Sequence, residues 1–128
     1  MGVFYVDCTV INITERQRTA TIDELIVDTG SEFTWLPGPT LTDIGIAVEK
    51  PAQKFTMANG ETIIRDIGYA ILKVDGFESV DEVVFGQNGD LSLLGSHTLE
   101  GFGAVVDARA KRLVAAGPFL AAPCSASY

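Results

Sequence analysis

The chain is predicted to be all-β: a closed barrel of short strands with one short helix near the C-terminus. Three observations predict this. Runs rich in Val, Ile, Phe and Tyr recur at short intervals, several with alternating apolar and polar residues. Turn signals separate them, namely Asn59-Gly60, Asp75-Gly76 and Gln87-Asn88-Gly89-Asp90. Helical character concentrates in one short segment, Ser96 to Phe102. Many short strands with little helix favour closure, because closure removes exposed sheet edges.

Each element follows from its residues. Val3 to Ile13 reads as a strand, and polar Asn12 to Ala20 as the loop after it. Thr21 to Val27 is the next strand and ends at Asp28. Phe33 to Pro37 is extended, and Pro37-Gly38-Pro39 breaks it. Thr40 to Ile46 suits a helical turn with Thr40 as N-cap and Gly45 as stop. Phe55 to Leu72 contains Asn59-Gly60, a strong signal for a tight hairpin turn. Tyr69 to Val74 and Val80 to Phe85 are further strands. Ser96 to Phe102 is the helix, kept short by Gly101. Gly103 to Asp107 and Arg112 to Ala115 form a last hairpin. The tail, 117–128, is expected to pair with a partner chain and then fray.

A length of 128 residues makes one domain, residues 1–128, with enough chain to bury a core without staples. Hydrophobic residues make up 47% and charged residues 20%, an apolar excess that fits a closed barrel or a buried oligomer interface. The net charge is −8 and the basic residues form no stripe, which argues against nucleic acid as a partner. No apolar run reaches membrane-spanning length. The N-terminus lacks a basic region followed by an apolar one, so it does not read as a signal peptide, and a cytoplasmic location is expected. Cys8 and Cys124 stand far apart without a Cys/His cluster, so free thiols are expected and no metal site is.

The most informative run is Ile26-Val27-Asp28-Thr29-Gly30-Ser31. Two β-branched residues lead a strand into a carboxylate, and Thr-Gly turns the backbone sharply after it. A second run, Leu93-Leu94-Gly95, comes 67 positions later (95 against 28) and opens the helix. Asp-Thr-Gly alone is weak, since Asp and Gly are ordinary turn residues. The apolar lead, the Ser that follows, the Leu-Leu-Gly partner and the spacing make the joint pattern specific.

From about Val3 to Val114 the chain resembles retroviral-type (retropepsin-like) aspartic proteases, members of clan AA. The stretch from Leu93 to Asp107 is similar to the helix and closing hairpin of single-domain bacterial members. The resemblance implies an aspartic endopeptidase needing neither metal nor cofactor. With one Asp-Thr-Gly per chain, it implies a homodimer whose two Asp28 carboxylates share one proton and activate a water between them. It implies an isologous interface of about 2,000 Å² or more, with Phe119-Leu120-Ala121 as a candidate pairing segment. The expected substrate is an extended polypeptide with apolar side chains flanking the cut.

The resemblance also implies roles. Gly30 lets its N–H approach the carboxylate, Thr29 bonds across the two-fold axis, and Ser31 bonds the outer carboxylate oxygen. Gly95 lets the helix start pack under the Asp28 loop. Met57, Ala58, Asn59, Gly60 and Glu61 belong to a flap over bound peptide. Viral members place an aspartate at the position of Glu32 and an arginine at that of Ser96. Without that arginine, Glu32 is expected to meet His97, Arg16 or Arg18. Trp35 is expected in the core, and His97 in a structural hydrogen-bonding role. Met57, Ile63 and Ile64 either line subsites or pack beneath the flap. Asp75, Glu78, Asp81 and Glu82 read as a solvated edge, and Asp66 and Glu61 as solvated. Two other functions fit the same residues: a catalytically silent dimerisation or peptide-binding module, and a small barrel holding a ligand inside.

Overall fold

The computed structural model describes residues 3–118. Within them, β1 (Tyr5–Ile11), β2 (Thr19–Val27) and β3 (Thr34–Pro37) precede the short helix α1 (Gly38–Asp43). Then come β4 (Lys50–Thr56), β5 (Thr62–Val74), β6 (Phe77–Gly86) and β7 (Leu93–Leu94). Helix α2 (Ser96–Phe102) follows, and the hairpin of β8 (Ala104–Asp107) and β9 (Arg112–Ala115) ends the described fold. The expected pairing segment Phe119-Leu120-Ala121 and the second cysteine, Cys124, lie outside the described residues.

Six strands close on themselves. β1 pairs with β2, β2 with β7, β7 with β3, β3 with β6 and β6 with β5. The ring shuts where Thr9, Val10 and Ile11 of β1 meet Lys73, Leu72 and Ile71 of β5. The alternation of β1 explains its place: Val6, Cys8 and Val10 point into the core while Tyr5 and Asp7 point out. Leu25, Leu36, Leu72, Val83 and Leu94 meet them inside. Burying each such side chain contributes about 1.5–3 kcal/mol, so this interior dominates the stability.

β5 is 13 residues long and plays two parts. Its C-terminal half pairs with β6 inside the ring, while Thr62 to Ile67 pairs with β4 outside it. The projecting β4–β5 hairpin therefore stands on a strand of the barrel wall. A bulge in β4 puts Ala52 at φ +54°, and Asp66 Oδ1 accepts the Ala52 N–H at 2.9 Å. Asp66 is thus a structural acceptor rather than a merely solvated charge.

Several expectations shift in detail. The helical turn expected over 40–46 is α1, but Thr40 does not cap it. Pro37 holds the N-cap position without a side-chain bond, and a proline stands in the first turn, where its missing N–H costs nothing. Gly45 ends that segment as expected, at φ +79°. Helix α2 has the expected bounds, but its stop is Gly103, in the left-handed conformation at φ 66°. Asn59-Gly60 lies in a five-residue connection, Met57 to Glu61, and the two-residue turn is Asp75-Gly76. The solvated edge divides. Asp81 is half-buried, Glu82 pairs with Lys50 at 2.6 Å, and Glu78 pairs with Lys73 at 3.8 Å.

Cys8 is fully buried and free, and burial pushes its thiol up to about 12. The thiolate is the reactive form. In a Cys124→Ser chain at about pH 8, a disulfide reagent is therefore expected to leave the native protein untouched and to react with one thiol on unfolding. The absorbance of the released thiolate checks this.

Candidate active site

Asp28 sits at the end of β2, where the strand leaves the barrel. Its N–H donates to the Leu94 carbonyl of β7 at 3.0 Å, which continues the parallel pairing of Ile26 with Leu93 and Val27 with Leu94. The loop then turns back on itself. Ser31 N–H donates to the Asp28 carbonyl at 3.2 Å, and Gly30 N–H donates to Asp28 Oδ1 at 2.9 Å. A Cβ at Gly30 would come within 3.3 Å of that same oxygen, so glycine gives the N–H its approach. The carboxylate is half-buried and Thr29 is exposed at the loop tip.

The next residues seat the loop on the start of α2. Ser96 N–H donates to the Ser31 carbonyl at 2.7 Å, and His97 N–H to the Glu32 carbonyl at 3.0 Å. Gly95 lies directly under the loop. A Cβ there would overlap the Phe33 carbonyl and come within 2.8 Å of the Glu32 oxygen, both of them backbone groups. Gly95 N–H donates to Thr34 Oγ1 at 3.0 Å. The Thr34 hydroxyl then meets the Thr98 hydroxyl at 2.6 Å, and Thr98 donates to Asp81 Oδ2 at 2.9 Å. Thr34 and Thr98 are fully buried, so this chain satisfies groups that would otherwise be costly to hide.

Two side chains depart from the implied roles. The Ser31 hydroxyl donates to the Phe33 carbonyl at 3.1 Å rather than to Asp28. Glu32 finds His97, with Oε2 at 3.8 Å from Nε2. Arg18 is used elsewhere, bonding Glu15 and the Asp43 carbonyl. The His97 ring also packs edge-on against Phe33, centroids 5.5 Å apart. His97 thus takes a structural role, although its side chain is partly exposed.

A cleft of about 700 Å³ opens beside Asp28. The Asp28 loop forms its floor with Gly30, Ser31 and Glu32. The β4–β5 hairpin supplies Lys54, Phe55, Met57 and Ala58 as one wall. Gly89, Asp90, Leu91 and Leu93 form the opposite wall. Of the expected flap residues, Met57 and Ala58 reach the cleft. Asn59, Gly60 and Glu61 build the exposed turn, in which Glu61 N–H donates to Asn59 Oδ1 at 2.9 Å and Gly60 takes φ +87°. Ile63 packs beneath the hairpin, and Ile64 is exposed outside the cleft.

An aromatic seam holds the hairpin to the floor. Phe55 meets Phe33 edge-to-face at 5.5 Å and Trp35 at 5.0 Å. Trp35 is buried with Ile67 and Val84 in a second, smaller core and also borders the cleft. Sequence reading missed Phe33, Phe55, Lys54 and Leu91 as cleft residues. The alternation Phe33-x-Trp35 carried a signal that two aromatics share one face; nothing local marked the others.

The opposite wall is pinned by Arg65. Its Nε lies 2.7 Å from Asp90 Oδ2 and its Nη2 lies 2.9 Å from Oδ1, a two-pronged pair with side chains 13% and 14% exposed. The Arg65 guanidinium, together with the Gln87 N–H, holds the Asp90 carboxyl below the usual carboxylate range.

Gly95→Ala is expected to cost about 2 kcal/mol or more, because backbone and not a flexible side chain blocks the new methyl. Denaturant unfolding measures it. Asp90→Asn is expected to cost about 1.5–3 kcal/mol at neutral pH, the range for hydrogen bonds to charged groups. Since the folded state lowers the Asp90 pKa, this stability is full above about pH 5 and fades as pH falls through the depressed value. Unfolding curves of parent and variant are therefore expected to converge in acid.

No protein-family model matches the chain, and no curated protein matches it. Among solved structures, it is similar to the retroviral protease-like domain of Ddi1 from Leishmania major, with a TM-score of 0.56 and 17% identity. The match covers 90% of this chain and 89% of that one. Among the described residues no helix is long and apolar enough to cross a membrane. With the Asp28 loop, the projecting hairpin and the Leu-Leu-Gly seat in this arrangement, the chain has the retropepsin-like fold.

Proposed function

We propose that the chain is an aspartic endopeptidase that acts as a homodimer on extended polypeptides. One observation carries the reading: a half-buried carboxylate, Asp28, oriented by the Gly30 N–H at 2.9 Å, on the floor of a cleft walled by a projecting hairpin. Thr29 beside it is exposed, which fits a bond to a second copy of the loop. Two such loops meeting on a two-fold axis bring two Asp28 side chains together. Like charges at that distance cannot both ionise cheaply, so one proton is held between them. The ionised member takes a proton from a water, which attacks the scissile carbonyl. The protonated member donates to the oxyanion, and the proton passes on to the leaving nitrogen.

Met57 and Leu93 fit an extended peptide with apolar side chains near the cut. The β4–β5 hairpin fits a flap that adds backbone hydrogen bonds to that peptide and excludes water. We place the chain with the single-domain bacterial members of clan AA, on the run from Leu93 to Asp107. A cytoplasmic site of action fits the free, buried Cys8.

A second reading is a catalytically silent dimerisation or peptide-binding module. It draws on the Ser31 hydroxyl, which turns to the Phe33 carbonyl and not to the Asp28 carboxylate.

A peptide-library digest paired with sedimentation separates the two. The enzyme reading expects a dimer and pepstatin-sensitive cleavage. It expects Asp28→Asn to lower kcat by about 10²–10⁴-fold or more while the dimer persists. Undiminished cleavage by that variant would falsify the mechanism. A dimer that cuts nothing from about pH 3 to about pH 8 establishes the module instead.

A further inference from the structure

We propose that Arg65 and Asp90 are positioning residues that clamp the Gln87–Leu91 turn to the base of the β4–β5 hairpin, and that the clamp makes Leu91 a reader of large apolar side chains. The inference deepens the peptide-cleft reading above and rests on it.

Asp90 is a fully engaged carboxylate. It accepts two N–H bonds from Arg65 and a third, at 2.7 Å, from Gln87 N–H within its own turn. Asp90 N–H returns to the Gln87 carbonyl at 2.9 Å. Arg65 is engaged as fully, since its Nη1 donates to the Ile64 carbonyl at 2.7 Å. Among the ion pairs of the described residues, this one has the least exposed partners. The others involve side chains at least 26% exposed. The turn between the two strands has little else to hold its shape: Gln87, Asn88 and Gly89 are exposed, and Gly89 takes φ +95°.

Leu91 follows Asp90 directly. It is 67% exposed, the highest value among large apolar residues described, and it lines the cleft. A leucine held in water at a cleft wall gains burial only when an apolar group docks against it. Its position relative to the hairpin is set by the clamp, because Arg65 belongs to the same strand that leaves the hairpin turn. The guanidinium fork matters as geometry and not only as charge, so lysine is a poor substitute.

The test uses an Asp28→Asn background, in which bound peptide is not cut. Affinities are measured for two hexapeptides that differ only in a central Leu or Ala. Leu91→Ala is expected to shrink the Leu preference by about five- to tenfold. Asp90→Asn and Arg65→Met are expected to shrink it similarly, and Arg65→Lys to restore only part. The Leu91→Ala/Asp90→Asn pair is expected to do no more than Leu91→Ala alone, because one change acts through the other. Additive losses, or an Asp90→Asn chain with its preference intact, overturn the proposal.

Amide hydrogen exchange without peptide reads the clamp by itself. Arg65→Met is expected to speed exchange at the Gln87 and Asp90 amides by about tenfold, with the Asp28 amide unchanged. Unaltered exchange at Gln87 and Asp90 sinks the clamp whatever the peptides do. Accelerated exchange in a chain whose parent shows no Leu preference sinks the role of Leu91 through failure of the cleft reading, not of the clamp.

Discussion

Four hydrogen bonds stitch the Asp28 loop to the Leu94–His97 segment: Asp28 to Leu94, Ser96 to Ser31, His97 to Glu32 and Gly95 to Thr34. They require the two backbones to touch, and they touch at Gly95, where a Cβ would run into two carbonyl groups. The placing of the Asp28 carboxylate and the start of α2 depend on that seat. It also ties the loop to the barrel through the buried Thr34–Thr98–Asp81 chain. The cost of ordering an exposed loop is offset by bonds that leave no buried polar side-chain atom without a partner among the described residues.

The cleft is built by two different kinds of interaction on its two walls. The hairpin wall is apolar: Phe55 interlocks with Phe33 and Trp35 over a small satellite core. Such contacts gain mainly from apolar burial, with edge-to-face ring geometry adding to it. The Gln87–Leu91 wall is held by a directional, charge-assisted fork, which tolerates little movement. The fork runs from the turn to β5 of the hairpin itself, so the two walls are tied to each other, and the carboxylate lies at the floor between them.

Local patterns were legible where physics is local. The helix Ser96 to Phe102, the hairpin after it and the Asp75-Gly76 turn all sit where short-range chemistry placed them. Glu32 was legible only as needing a basic partner, with His97, Arg16 and Arg18 all open, and the structure selects His97 at 3.8 Å. Thr40 as a cap was misread because the rigid Pro37-Gly38-Pro39 backbone starts the helix earlier, without a side-chain bond. Asp81 was misread as solvent-facing because its partner, Thr98, is 17 positions away and on another element.

The amino-acid order alone determined the strand-to-carboxylate delivery at Asp28 and the all-β class. These follow from the period of apolar residues and from backbone sterics, which act over a few bonds. Only the tertiary structure decided which residues wall the cleft. The ring closure between β1 and β5, the Phe55 seam and the Arg65–Asp90 fork join positions tens of residues apart. Such contacts arise from the shape of the closed sheet, and no local pattern encodes which side chains that shape brings face to face.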